Sequence, residues 1–309
     1  MRASLLLVGL LFATTPLAGQ TTEPPTEDPG LIITTETSLV IVPLYVYKGR
    51  NSVVGLGKEA FELLENGVPQ DIEFVEGPGS GRTVPVEINF LLDVSHSVLR
   101  RGLISLQAIR ESFLAGDLKE EVSFAVYAFA EKLSRFTAPT RNLDRVEHAL
   151  ELAYAAEDRQ TRLYEAIALT LRDVGSRNRN ASRMLVVISD GLATSGFEPT
   201  VVVRAARSLG VPIYPVVLGH RRGASKEMQQ LRFAEIGPQT GGQSFDLNVP
   251  SGEAVRSILA SLAYLAESEY IVGYYPSSLG DEPTQRNIEV RLQAKKVGKL
   301  YGGRRTIVH

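Results

Sequence analysis

The stretch Val86–Ser97, VEINFLLDVSHS, decides the fold. Its first seven residues are a mostly apolar run, as expected of a strand buried on both faces of a parallel sheet. Asp93 ends that run, Ser95 and Ser97 follow, and Leu99, Leu103, Leu106, Ile109 and Phe113 then recur at helical spacing. Strand, polar turn and helix form the repeating unit of open α/β sheets.

The same alternation continues toward the C-terminus. Val122–Phe129 alternates like a strand, and Lys132–Phe136 offers it an antiparallel partner. Leu143, Val146 and Leu150 mark one helix, and Leu163, Ile167, Thr170 and Val174 mark a second. Met184–Ser189 and Ile213–Leu218 read as further buried strands, separated by a helix that includes Val201–Leu209. A short strand near Gln243–Phe245 precedes a last helix carrying Val255, Ile258, Leu262 and Leu265. The repetition predicts an α/β fold over residues 84–266, a doubly wound, mostly parallel, Rossmann-like sheet with helices on both faces.

β-type sequence lies on either side. In 31–80, Leu39–Tyr47 is rich in β-branched and aromatic residues, with Pro43 pointing to an edge strand. Phe61–Leu64 and Ile72–Val75 flank Asn66-Gly67, a strong hairpin signal, and Gly77–Arg82 punctuates the boundary. In 269–309, Tyr270–Tyr275, Asn287–Leu292 and Arg304–Val308 read as strands, with Tyr270, Tyr274 and Tyr275 as packing residues. Each segment is too small to bury a core alone, so the two are expected to pack together as a smaller β-sandwich-like module.

Met1 and Arg2, the apolar run Leu5–Ala13 and the small pair Ala18-Gly19 have the layout of a secretory signal peptide over 1–19. The run falls short of the ~20 residues that span a bilayer, and Gln20 stands where a lipoprotein would need cysteine. Residues 20–30, with TTEPPTEDPG at 21–30, read as a flexible linker. The expected protein is exported, periplasmic or extracellular, with no membrane insertion of the mature chain. A net charge of -2 supplies no basic field for nucleic acid, and the lack of cysteine excludes disulfides, thiolate metal sites and cysteine nucleophiles. No feature fixes the oligomeric state.

Chemistry-bearing residues gather at strand ends, where open α/β sheets bind ligands. Asp93, Ser95 and Ser97 can converge three oxygens on one point; Thr161 opens a helix, and Asp190 follows a buried strand and precedes Gly191. Oxygen donors of this kind suit hard divalent cations. Each position also has a plainer reading, since Asp, Ser and Thr cap helices and Asp-Gly makes turns. His96 sits between the two serines at a non-ligand position, and His220, Arg221 and Arg222 follow the third buried strand as a solvated basic loop.

Asp-x-Ser-x-Ser, a distant Thr and a later Asp-Gly, in that order, resemble the metal-ion-dependent adhesion site of von Willebrand factor A-type domains and integrin I domains. The resemblance covers roughly 84–266, and FELLENGVPQDIEF and YIVGYYP resemble exported bacterial proteins in which such a domain lies between β-rich segments. It implies that Asp93, Ser95, Ser97, Thr161 and Asp190 hold Mg2+, with Mn2+ or Ca2+ as alternatives. The implied function is adhesion-type protein binding, without catalysis, in which a partner's Asp, Glu or C-terminal carboxylate completes the metal sphere. A metal-assisted hydrolase is the alternative; against it, the sequence has no G-x-S-x-G elbow and no H-E-x-x-H pair.

Overall fold

The computed structural model describes residues 39–49, 51–80, 85–99, 122–154, 161–177, 181–194, 196–220, 222–248, 251–276, 285–293 and 296–308. The signal-peptide and linker readings, most of the helix expected after Ser97, and Arg221 lie outside the described residues.

In chain order, the first strands are Val40–Lys48 (β1), Asn51–Ser52 (β2), Phe61–Glu65 (β3), Val68–Gln70 (β4) and Phe74–Glu76 (β5). The α/β region opens with Val86–Asp93 (β6), His96–Leu99 (α1), Val122–Phe129 (β7) and Leu133–Thr140 (β8). Leu143–Tyr154 (α2), Leu163–Ser176 (α3), Ser182–Ser189 (β9), Pro199–Leu209 (α4) and Ile213–Leu218 (β10) follow. Ala224–Ala234 (α5), Ile236–Thr240 (α6), Phe245–Leu247 (β11) and Gly252–Ser268 (α7) complete it. The last strands are Glu269–Tyr274 (β12), Gln285–Leu292 (β13), Lys299–Gly302 (β14) and Arg304–Val308 (β15). Among the described residues no helix is long and apolar enough to cross a membrane.

The six-stranded sheet has the order β11-β10-β9-β6-β7-β8. Its ladders are parallel except for the antiparallel β7–β8 edge pair. All eight residues of β6 are buried, which explains why its sequence is apolar rather than alternating. Ile88, Phe90 and Leu92 pack on one face against α2 and α7, and Leu91 packs on the other among α3, α4 and Phe233 of α5. The chain leaves β6 for β7 and β8 and then returns to β9 on the other flank of β6. That reversal makes the carboxyl ends of β6 and β9 the topological switch point, where a crevice opens in sheets of this class.

Two antiparallel sheets, β14-β1-β12-β5 with β2 on β1, and β15-β13-β3-β4, share one apolar core. Each sheet pairs strands from both sides of the α/β region: Val42 lies opposite Val272, and Leu63 opposite Val290. Glu65 of β3 receives Arg286 of β13 at 2.7 Å and the Tyr274 hydroxyl of β12 at 2.8 Å, so one carboxylate ties the two sheets together. Where α7 passes directly into β12, buried Glu269 meets the Ser182 hydroxyl and the Tyr45 hydroxyl, and Tyr45 bonds Tyr214 at 2.7 Å. Burial pushes the phenols of Tyr45 and Tyr214 well above their ordinary range.

Several details differ from the sequence reading. The second arm of the hairpin is Val68–Gln70, because a two-residue Asn66-Gly67 turn sets Glu65 directly against Val68. Both turn residues have positive φ, 50° and 83°. Phe74–Glu76 instead crosses to the other sheet and pairs with β12. Pro43 lies on an interior strand, one residue beyond the last pair of the β1–β14 ladder, so its missing N–H breaks no bond there. The strand expected near Gln243 begins at Phe245, and α5 and α6 have no counterpart in the sequence reading.

Candidate metal centre

The end of β6 turns on its own side chain. The Ser95 amide donates to Asp93 Oδ1 at 3.0 Å, and the Ser95 carbonyl accepts from Val98 and Leu99 to start α1. Ser95 and Ser97 hydroxyls lie 3.3 Å apart, and Ser97 Oγ reaches Asp190 Oδ2 at 3.4 Å. Asp93, Ser95, Ser97 and Asp190 therefore form one continuous chain of oxygens across the switch point. Asp93, Ser95 and Asp190 are buried, while Ser97 is exposed at the mouth.

Thr161 arrives by a different route. Its amide donates to the Thr194 hydroxyl at 3.2 Å, its carbonyl accepts from the Thr194 amide at 3.0 Å, and the Arg162 amide bonds the Ala130 carbonyl. Thr161 is thus fastened to the loop that leaves Asp190, beside the turn after β7, rather than entering the hydrogen-bonded chain of the other four. It does not cap α3: the cap position is Arg162, where no side chain makes a capping bond. Asp190 does form the turn that its Asp-Gly pair suggested, with the Leu192 amide on Oδ1 at 3.1 Å and Gly191 at φ 72°. Its other oxygen remains turned to Ser97.

Three supporting residues escaped the sequence reading. Ser189 donates to Asp93 Oδ2 at 2.6 Å and accepts from the Gly191 amide at 3.1 Å. The signal for it was present, because a hydroxyl one residue before Asp190 on a parallel neighbour of β6 must lie level with Asp93. Gln230 of α5 donates to the carbonyls of Asp190 and Gly219, and Thr194 clasps Thr161. Neither position is marked by sequence, since each depends on where a distant loop folds back.

Burial pushes the Asp93 carboxyl from 3.8 up to about 6. Hydrogen bonds from Ser189 and Ser95 oppose the shift, and the Asp190 charge adds to it. Two buried carboxylates facing each other through serine hydroxyls are an arrangement that a cation would relieve. Among the described residues no group of three or more His, Cys, Asp or Glu is placed to hold a metal ion. The donors here are carboxylate and hydroxyl oxygens, which fit a hard divalent cation and not a soft one. Ser189→Ala, which removes a hydrogen bond behind a candidate ligand, is expected to weaken divalent-cation binding at this site about 10–100-fold by calorimetric titration. Unchanged affinity would show that Ser189 has no orienting role.

Residues 88–192 match the von Willebrand factor type A domain family. No curated protein matches the chain. Among solved structures, the conserved hypothetical protein BatB from Bacteroides thetaiotaomicron is 18% identical with TM-score 0.46, over 59% of this chain and 100% of its own. An aerotolerance-related membrane protein from Bacteroides fragilis is 16% identical with TM-score 0.46, over 58% and 98%. Proximal thread matrix protein 1 from the mussel byssus, in a form with a zinc-occupied adhesion-site motif, is 14% identical with TM-score 0.44, over 62% and 47%. The family match begins inside β6 and ends two residues past Asp190, so it spans all five candidate ligands.

Proposed function

We propose that this chain is a metal-dependent protein-binding module of adhesion type, exported to the periplasm or beyond. Asp93, Ser95, Ser97, Thr161 and Asp190 would hold Mg2+, or Mn2+ or Ca2+ in its place. When bound, the cation supplies an open coordination position that accepts one carboxylate oxygen from a partner protein. The observation that carries this reading is the oxygen chain Asp93–Ser95–Ser97–Asp190, buried at its root and exposed at Ser97. Asp93 and Ser189 hold the root rigid, and Gln230 fixes the Asp190 backbone, so the donors are set before a ligand arrives. The two end-built sheets form, in this reading, a sandwich-like module that presents the A-type domain.

Thermal melting with MgCl2 or EDTA tests the site directly. Mg2+ at about 100 times its Kd should add about 2.7 kcal/mol of stability. No shift at millimolar Mg2+, Mn2+ or Ca2+ would remove the basis of the proposal. Turnover of phosphoester or peptide substrates that is lost in Asp93→Ala would replace it with a hydrolase.

A further inference from the structure

We infer that the cleft between the α/β layer and the four-stranded sheet binds a small multivalent oxyanion, a molecule with phosphate or carboxylate groups at two or more positions. The cleft has a volume of about 760 Å3, and three parts of the chain line it: Arg207 of α4 with Gln239 and Thr240 of α6, the Asn66-Gly67 turn, and β13 and β15 with Arg304 and Arg305. A cleft of that size suits a small ligand. It reaches the amino end of β10, where Thr240 takes the Ile213 amide. β10 runs parallel to β9, so the cleft lies at the opposite end of the sheet from the candidate metal centre. The inference therefore stands apart from the proposed metal site.

Several side-chain acceptors in the wall are already spent, and the donors beside them are not. Both Glu289 oxygens are taken, one by Arg291 at 2.8 Å and the other by Arg304 at 2.9 Å, and these bonds hold its carboxyl below the ordinary value. Asn287 Oδ1 accepts from the Thr306 hydroxyl at 3.1 Å, and Asn66 Oδ1 accepts from the Asn287 backbone amide at 2.9 Å. Arg207 is anchored through Nε on the Gln239 carbonyl at 2.7 Å, which leaves both of its terminal nitrogens without a partner among the described residues. The side-chain Nδ2 groups of Asn66 and Asn287 are likewise unused among the described residues. A phosphate or carboxylate offers acceptors only, which is what such a wall lacks.

Charge points to the same ligand. Among the described residues three arginines line the cleft against one acid, Glu289, while just outside it Arg291 and Glu62 oppose each other. Arg305 is fixed on the carbonyls of Ile41 and Leu209, close against Gly210, and so contributes a stationary positive charge. A cleft of one sign concentrates ions of the other, and the guanidinium fork matches phosphate and carboxylate oxygens.

The test titrates pyrophosphate and citrate, separately, into the full chain by isothermal calorimetry. The protein is first freed of divalent cations on a chelating resin, so that neither anion can bind through a metal, and is held in about 0.15 M NaCl to screen loose surface attraction. One site per chain is expected. Arg207→Gln and Arg304→Gln, both at exposed positions, should each weaken it about tenfold, as for losing a hydrogen bond to a charged group. Arg172→Gln, at an exposed position of α3 outside the cleft, should leave the affinity unchanged. Tighter binding of pyrophosphate would support the site with a phosphate ligand, and tighter binding of citrate would support it with a carboxylate ligand. No heat from either anion at millimolar concentration would overturn the inference. So would affinities unchanged in both cleft variants, or an equal loss in Arg172→Gln.

Discussion

Asp93→Asn is expected to make the metal-free protein more stable at about pH 8, by about 2 kcal/mol, and less stable than the parent once Mg2+ is added. Asp93 is fully buried, and its carboxyl is pushed up to about 6. Its contribution is fully present below the ordinary value of 3.8 and is lost as pH rises through about 6, because the folded state must then hold a buried anion. The difference corresponds to about 3 kcal/mol at alkaline pH. Asparagine removes the charge and keeps an acceptor for the Ser95 amide, but it forfeits the acceptor that Ser189 uses, at a cost of about 1 kcal/mol. Under the proposed function added Mg2+ should reverse the order, since asparagine offers no anionic donor at this position. Urea unfolding at acid and alkaline pH, in EDTA and in MgCl2, measures all four states. A variant less stable than its parent in alkaline EDTA would mean that Asp93 is neutralised by something other than a metal.

The second large effect lies in the sandwich. Arg286→Met is expected to cost about 3–5 kcal/mol, the usual consequence of leaving one member of a buried ion pair alone. Arg286 and Glu65 are 5% and 9% exposed, and their 2.7 Å contact is shared with the Tyr274 hydroxyl. The double substitution Glu65→Met/Arg286→Met should recover most of the loss, because no buried anion remains. The shortfall is about 1–3 kcal/mol for the Tyr274 hydroxyl left without its acceptor. Denaturant midpoints of the parent and the two variants decide the matter; a single variant losing less than the double one would show that the pair does not hold the sheets.

Where the sequence was legible, burial and period coincided. β6 and β9 are buried along almost their whole length and spell apolar runs, and α3 repeats Leu163, Ile167, Thr170 and Val174 because that face meets the sheet. α5 was invisible for the opposite reason. It buries only Gln230 and Phe233, so ASKEMQQLRFA carries no apolar stripe, although Gln230 steadies Asp190. Pro43 misled because sequence shows a missing donor but not that the facing Gly303 carbonyl is already taken by the Val290 amide. At the site, letter order indicated the five candidate oxygens. Ser189 was also legible as the hydroxyl level with Asp93, but nothing indicated that Thr161 would be fastened through Thr194.

The pairing of β1 with β12 and of β3 with β13 has a consequence for biosynthesis. A ribosome delivers β1 and β3 long before their partners exist, and the entire α/β layer must emerge in between. Until Glu269 has been made, these strands are open templates for any other extended chain. A nascent chain that stalled within α7 would have a finished Rossmann-like sheet and an unfinished second layer, so translation arrest there should be sensed as an aggregation hazard rather than as loss of the crevice at the switch point.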